Sequence, residues 1–295
     1  MPSHLVEVKK RMSIAAQRRA RNAFASNHGS VFKGRSMDFD ELRDYHYGDD
    51  VKDIDWNSTA RINSVMVRKY IAVRKHNILL LGNTGFEMTT LAPSGESKAD
   101  IATFCAAVIS YIALAEQDLV GMLFGDGHTS SRYAMKDNRA HAEHFLNAYR
   151  KNIKPDSSEG NFNAMLNYCG KSYREPMYLF AICDTDDAAH LDYEILHKIT
   201  ARHNVIFIII EDMPLTSNAI LTGEFRDLGD GAKLPRFIRN NKQLTKAEEQ
   251  FRHQQKMSIT LKMRKAHVLS CFINSKESAI PQIINVLEEQ KRVKY

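Results

Sequence analysis

The chain has 295 residues, 43% of them hydrophobic and 26% charged, with a formal net charge of +6 and an isoelectric point near 9.0. That length can bury a full core as one large domain or two modest ones, and the composition is that of an ordinary soluble globular protein. Four cysteines, Cys105, Cys169, Cys183 and Cys271, stand singly with no CxxC pair; this argues against a thiolate zinc site or a disulfide framework and leaves buried thiols in a reducing cytoplasm as the expectation.

The first residues, MPSHLVEVKKRMSIAAQRRARN, are basic and lack an apolar stretch, so they do not read as a secretory signal. Residues 1–30 read as one amphipathic helix, with Leu5, Val8, Met12, Ala15 and Ala16 on one side and a break at Asn27-His28-Gly29-Ser30. Basic clusters at Lys9-Lys10-Arg11, at Arg18, Arg19 and Arg21, and at Lys262, Arg264 and Lys265 are expected to be solvated helix faces. They lack the groove-reading helix or aromatic platform that nucleic-acid modules pair with such charge. No nucleic-acid partner is expected, although a binding module built on this basic helix is a third functional reading. The longest apolar stretches, Phe104 to Ala115 and Val205 to Ile210, are too short to span a bilayer, so no membrane segment is expected.

The segment Asp38 to Tyr70 holds the single tryptophan, Trp56, and eight carboxylates: Asp38, Asp40, Glu41, Asp44, Asp49, Asp50, Asp53 and Asp55. Phe39, Leu42 and Tyr45 recur at helical spacing and predict a short helical turn. Gly48-Asp49-Asp50 is a turn signal. Asp53 or Asp55 can cap a second short helix carrying Trp56, Thr59 and Ala60. Val65 to Tyr70 alternates as a strand. So many acids invite a calcium loop, but Asp49 to Asp55 lacks the central glycine of an EF-hand. The segment therefore predicts a compact structural staple in which Arg43 and Arg61 pair with acids, and Trp56→Ala should destabilise it by about 3–5 kcal/mol if the ring is buried.

From Arg74 onward strands and helices alternate. Ile78–Leu81 is a buried strand, Ser97–Gln117 a long helix, Leu119–Phe124 a strand and Ser130–Met135 its antiparallel partner. Helices follow at Asn138–Lys151 and from Phe162, then a strand at Met177–Cys183, a helix at Ala188–Arg202 and the most hydrophobic strand at Asn204–Ile210. A long polar helix at Gln243–Arg264, a strand at Ala266–Phe272 and a helix at Ile280–Val293 complete the chain. This order predicts an α/β fold, a mostly parallel central sheet with helices on both faces, whose ligand-facing loops lie at the strand carboxyl ends. Those loops are Gly82–Met88, Gly160–Asn163 and Asp184–Asp187. The expected division is residues 1–75 for the N-terminal helix and the charged segment and 76–295 for the α/β domain.

Phe39, Leu42-Arg43-x-Tyr45, Gly48-Asp49-Asp50, Ile54-Asp55-Trp56, Ala60-Arg61 and Val67-Arg68 occur in the order that marks the domain-of-unknown-function 58 family, which the chain resembles over almost its whole length. The resemblance implies a Rossmann-like von Willebrand factor type A (vWA) domain after the signature. It also implies work beside a MoxR-type AAA+ ATPase on a client protein. Arg43, Tyr45, Gly48, Asp49, Asp50, Asp55, Trp56, Arg61 and Arg68 are then the signature's interaction or structural residues. A vWA domain typically holds magnesium through Asp-x-Ser-x-Ser, a Thr on a second loop and an Asp after a later strand. Here Gly82 stands for that Asp, Thr84 and Phe86 for the two serines, Asn161 for the Thr and Asp184 for the last Asp. Only Asp184 fits well. A degenerate site without metal or cofactor is expected; the alternative reading is a divalent-metal-dependent binding protein with a site rebuilt around Glu87 and Asp184, to which Asp186 or Asp187 could add.

No catalytic residue is expected. His141 and His144 are spaced i, i+3 rather than as in H-E-x-x-H, and neither a G-x-S-x-G elbow nor a Walker-type run is present. The sequence thus predicts a cytoplasmic, non-enzymatic protein-interaction adaptor.

Overall fold

Residues 3–25, 37–62, 64–72, 75–215 and 242–293 are described by a computed structural model; within the short ribbon formed by residues 37–44 and 66–72, only the backbone is described at 37–41 and 68–72. The larger of two units is built on a six-stranded sheet. Its strands are β3 (Asn77–Asn83), β4 (Leu119–Gly125), β5 (Ser130–Lys136), β6 (Tyr178–Asp184), β7 (Asn204–Ile210) and β8 (Leu269–Ile273), in the order β5-β4-β3-β6-β7-β8. All neighbours are parallel except the edge strand β5, which pairs antiparallel with β4. The mostly parallel α/β sheet is the fold expected from the sequence.

Strand parity explains the layers. Ile78 and Leu80, with Phe180, Ile182, Ile206 and Ile208, join one core cluster, while Leu79 and Leu81, with Leu179, Ala181, Phe207 and Ile209, join the other. Successive side chains point to opposite faces, and near-continuous apolar runs are what a sheet covered on both sides requires. The first face is covered by α4 (Lys98–Ala115), α5 (Arg139–Asn152) and α10 (Lys276–Val293), the second by α6 (Phe162–Ser172), α8 (Tyr193–Thr200) and part of α9 (Lys242–Lys265). The helix expected over Ala188–Arg202 is instead α7 (Thr185–Ala189) and α8, because Asp192 accepts from Glu194 N and starts α8 afresh. Among the described residues α4 is the helix long and apolar enough to cross a membrane, but 78% of it is buried inside the fold. All four cysteines are buried free thiols.

Two expectations about the N-terminal part are corrected. The single helix is α1 (His4–Arg11) and α2 (Ile14–Ala25), and both belong to the α/β unit rather than with the charged segment. Their apolar face is buried on α4 and α10, where Val8, Ala20 and Phe24 are enclosed and Phe24 stacks on Phe180. Glu143 of α5 accepts from the His4 and Leu5 backbone N–H groups, 3.0 and 2.7 Å, which anchors the positive end of α1. The expected break at 27–30 lies outside the described residues.

The second unit holds β1 (Met37–Asp44), α3 (Trp56–Ile62) and β2 (Met66–Ala72). The helical turn predicted at Phe39, Leu42 and Tyr45 is instead the antiparallel ribbon β1–β2. A bulge between Phe39 and Glu41 explains the false period: Phe39 faces Tyr70 and Leu42 faces Arg68, two ladder positions apart although three residues apart in sequence.

Candidate functional site

In an open parallel sheet the crevice forms where strand order reverses. Here β3 sends its chain to β4 on one side and pairs with β6 on the other, so the carboxyl ends of β3 and β6 mark the place. Asn83, the last residue of β3, is buried there. Its amide donates to Glu87 at 2.5 Å and to Asp187 at 2.6 Å, and its Oδ1 accepts from Gly85 N at 2.8 Å. Gly160 N donates to Glu87 at 3.1 Å. A Cβ at Gly160 would lie 2.1 Å from Glu87 Oε1 and 2.4 Å from Asn83 Nδ2, so only glycine lets this backbone approach the pair.

Asp184 closes β6. It caps α7 by accepting from Asp187 N at 2.8 Å, and its other oxygen accepts from Lys98 Nζ at 3.2 Å. Lys98, the first residue of α4, is fully enclosed and also donates to Asp212. Burial alone would lower the Lys98 pKa, but the Asp184 and Asp212 charges outweigh it and hold the pKa above the ordinary lysine value. Burial raises Asp187 well above the usual carboxylate range, with help from Asp184 and Glu87. Glu87 and Asp212 are raised by burial in the same way, and Lys98 opposes the rise at Asp212.

The structure corrects the register expected for the first loop by one residue. Gly82 faces the core, where an added Cβ would lie 2.6 Å from the buried Tyr149 ring, and Tyr149 Oη donates to Asn83 O at 3.1 Å. Asn83, Gly85 and Glu87 therefore stand where Asp-x-Ser-x-Ser would place its donors, and Gly82, Thr84 and Phe86 do not. Thr84 is held through its backbone N–H to Gly125 O. Asn161 caps α6 by accepting from Ala164 N. Asp184 takes the place expected of it, whereas Asp186 is exposed and bonds Gln255. This donor set is an amide, a bare glycine and a carboxylate tied to Asn83 and Gly160, which does not match an oxygen cage for magnesium. Among the described residues no group of three His, Cys, Asp or Glu side chains is placed to hold a metal ion. Sequence reasoning missed Lys98; the available signal was a lysine opening the most apolar helix, where the helix dipole disfavours a cation.

Beside the cluster lies a cleft of about 350 Å³ lined by His128, Glu159, Gly160, Asn161, Phe162, Asn163, Asp187 and His190. His128, Glu159, Asn161 and His190 are exposed on its rim.

In the signature unit Arg43 and Asp49 form the expected bidentate pair, 2.8 and 2.6 Å. The Arg43 guanidinium, joined by the His46 backbone N–H, pulls the Asp49 carboxyl down to about 2. Gly48 turns the chain at φ +110°, Asp50 caps the 3-10 turn Val51–Asp53, and Asp55, rather than Asp53, caps α3 through Asn57 and Ser58. Tyr45 N donates to Val65 O. Arg61 is exposed and makes no ion pair among the described residues, and for Arg68 only the backbone is described. Trp56 is 63% exposed, so the burial on which a large destabilisation by Trp56→Ala depends is not met. In the basic N-terminal helices Arg11, Arg19 and Arg21 pair with Glu7, Glu288 and Glu116, so part of that charge is already neutralised.

Residues 41–217 match the model of a family described as protein of unknown function DUF58. Uncharacterised proteins of Mycobacterium bovis and Mycobacterium tuberculosis are 25% identical over 142 residues, 48% of this chain and 44% of theirs, so the match spans less than half the length of those relatives. Among solved structures, the conserved hypothetical protein BatB from Bacteroides thetaiotaomicron is 14% identical at a TM-score of 0.46, over 75% of this chain and all of that one. An aerotolerance-related membrane protein from Bacteroides fragilis is 13% identical at 0.44, over 72% and 99%. A von Willebrand factor type A protein from Catenulispora acidiphila is 9% identical at 0.40, over 77% and 45%.

Proposed function

From the premise that this chain belongs to the DUF58 family, we propose that it is a non-enzymatic, cytoplasmic interaction adaptor of vWA type that docks a MoxR-type AAA+ ATPase and a client protein. The observation that carries this reading is the state of the switch-point loops. Their buried polar groups are spent on one another, Asn83 on Glu87 and Asp187, Asp184 on Lys98 and Asp187 N. That leaves a fixed rim around an open cleft. A surface whose loops are already ordered loses little entropy when a partner binds, and loops carried on a rigid sheet are where binding residues concentrate. In this reading the partner supplies ATP chemistry and this chain supplies geometry.

The test is capture from a native-host lysate on the tagged chain, with and without an ATP analogue and with EDTA. The expected result is recovery of a MoxR-type ATPase by wild type and its loss with the rim pair Glu159→Lys and His190→Glu, at unchanged melting temperature. Recovery of no such ATPase under any condition removes the proposed partner. Undiminished recovery by the rim variant places the docking surface elsewhere.

A further inference from the structure

We propose that the Lys98 ammonium is the resident cation of the switch-point site, taking the role that a divalent ion plays in a metal-holding vWA domain. The residues on which such an ion would rest do not suit it. The first donor is the Asn83 amide, which has one oxygen, already accepting from Gly85 N at 2.8 Å, and a nitrogen that donates to both Glu87 and Asp187. An amide nitrogen directed at two carboxylates cannot also face a cation. The second donor position is Gly85, which has no side chain.

Asp184 keeps its place, and Lys98 Nζ stands against it. Its Oδ2 is 3.2 Å from the ammonium, whose other carboxylate partner is Asp212. The Lys98 side chain is 1% exposed and that of Asp184 2%. A buried carboxylate needs a counter-charge, and a covalently attached ammonium provides one that does not depend on ion concentration. The cost appears in the sequence: a lysine occupies the first position of α4, at the positive end of the helix, where its backbone N–H bonds Thr90 O. Two carboxylates offset that placement.

This assignment has a consequence for recognition. A metal in a vWA site leaves a coordination position open to a partner's carboxylate, whereas an enclosed ammonium leaves none. Any docking at this end of the sheet then runs through the rim side chains and does not require a divalent ion. The assignment concerns the site's own charge balance, so its failure and the failure of the adaptor reading are read from different experiments.

The probe is Mn²⁺, titrated into the purified protein and followed by the electron paramagnetic resonance signal of the free ion, with melting measured alongside. Wild type should bind no Mn²⁺ at the site, and its melting temperature should be the same in Mn²⁺ and in EDTA. Lys98→Ala should melt below wild type in EDTA and recover part of the loss with Mn²⁺ or with methylammonium, a small cation that refills the vacated volume. The double variant Lys98→Ala, Asp184→Asn should recover with neither. One Mn²⁺ per wild-type chain, lost on Asp184→Asn, overturns the assignment. So does a folded Lys98→Ala chain that responds to neither cation. If Lys98→Ala does not fold in any buffer, the wild-type titration decides alone.

Discussion

Both units hold a cation against a carboxylate, Arg43 on Asp49 and Lys98 on Asp184 and Asp212, and the two arrangements differ in what they hold up. Arg43 and Asp49 meet at a turn, with side chains 37% and 20% exposed, while Lys98 and Asp184 meet beneath the sheet end at 1% and 2%. Among the described side chains of the signature unit, Val67 and His76 are the buried ones, whereas the α/β unit encloses both faces of a six-stranded sheet. The first pair is exchanged with water at little loss. The second cannot be, because a charge stripped of its partner in the interior has nothing to solvate it. The same ion-pair chemistry is therefore a surface clasp in one unit and part of the core in the other.

The largest expected effect breaks the buried side of that comparison. Asp184→Ala removes one of the two carboxylates on Lys98 and the cap of α7; with Asp212 still on Lys98, it should cost about 3 kcal/mol in chemical denaturation, the low end of the range for breaking a buried pair. A loss below about 1 kcal/mol, the surface-pair range, would show that water reaches the site. Gly82→Ala should follow at about 1–3 kcal/mol, the usual cost of overpacking. Its methyl group meets the buried Tyr149 ring at 2.6 Å, and the ring holds the Asn83 carbonyl. The pairing Gly82→Ala with Tyr149→Leu is informative, since the nearest contacts are the ring carbons Cε2 and Cζ and relief on removing the ring assigns the cost to this one contact.

The sequence made the α/β unit legible because its strands are buried on both faces and bounded by turn residues; Asn204–Ile210 was located to the residue. The signature unit was less legible for a physical reason. Its one-residue bulge turned a strand period into an apparent helical one, and no local pattern decides whether Trp56, which is 63% exposed, is covered. The cap at Asp55 and the turn at Gly48-Asp49-Asp50 were readable because they act within three residues. The switch-point site was readable only in part. Asp184 and the three loops follow from strand order, but the phase of β3 decides whether Gly82 or Asn83 faces the site. Lys98 reaches it from a helix 86 residues away from Asp184 in sequence, a distance over which local pattern carries no information.

The smallest effect sharpens the surface side. Asp49 is held down to about 2 by the Arg43 guanidinium, with the His46 backbone N–H adding to it. A carboxyl depressed in the folded state contributes stability that is fully present above its unfolded value and is lost as pH falls through the folded one. For Asp49 that window runs from the ordinary value of 3.8 down to about 2. A carbon-detected NMR titration should therefore place the Asp49 midpoint near 2 in wild type and closer to the ordinary value in Arg43→Ala, where only the His46 N–H remains. Because the pair is open to solvent, the melting temperature of Arg43→Ala at neutral pH should fall far less than that of Asp184→Ala, and salt should narrow the remaining gap from wild type. A fall as large as that of Asp184→Ala would mean that the turn is enclosed in solution, and the contrast between a surface clasp and a buried core pair would then not hold.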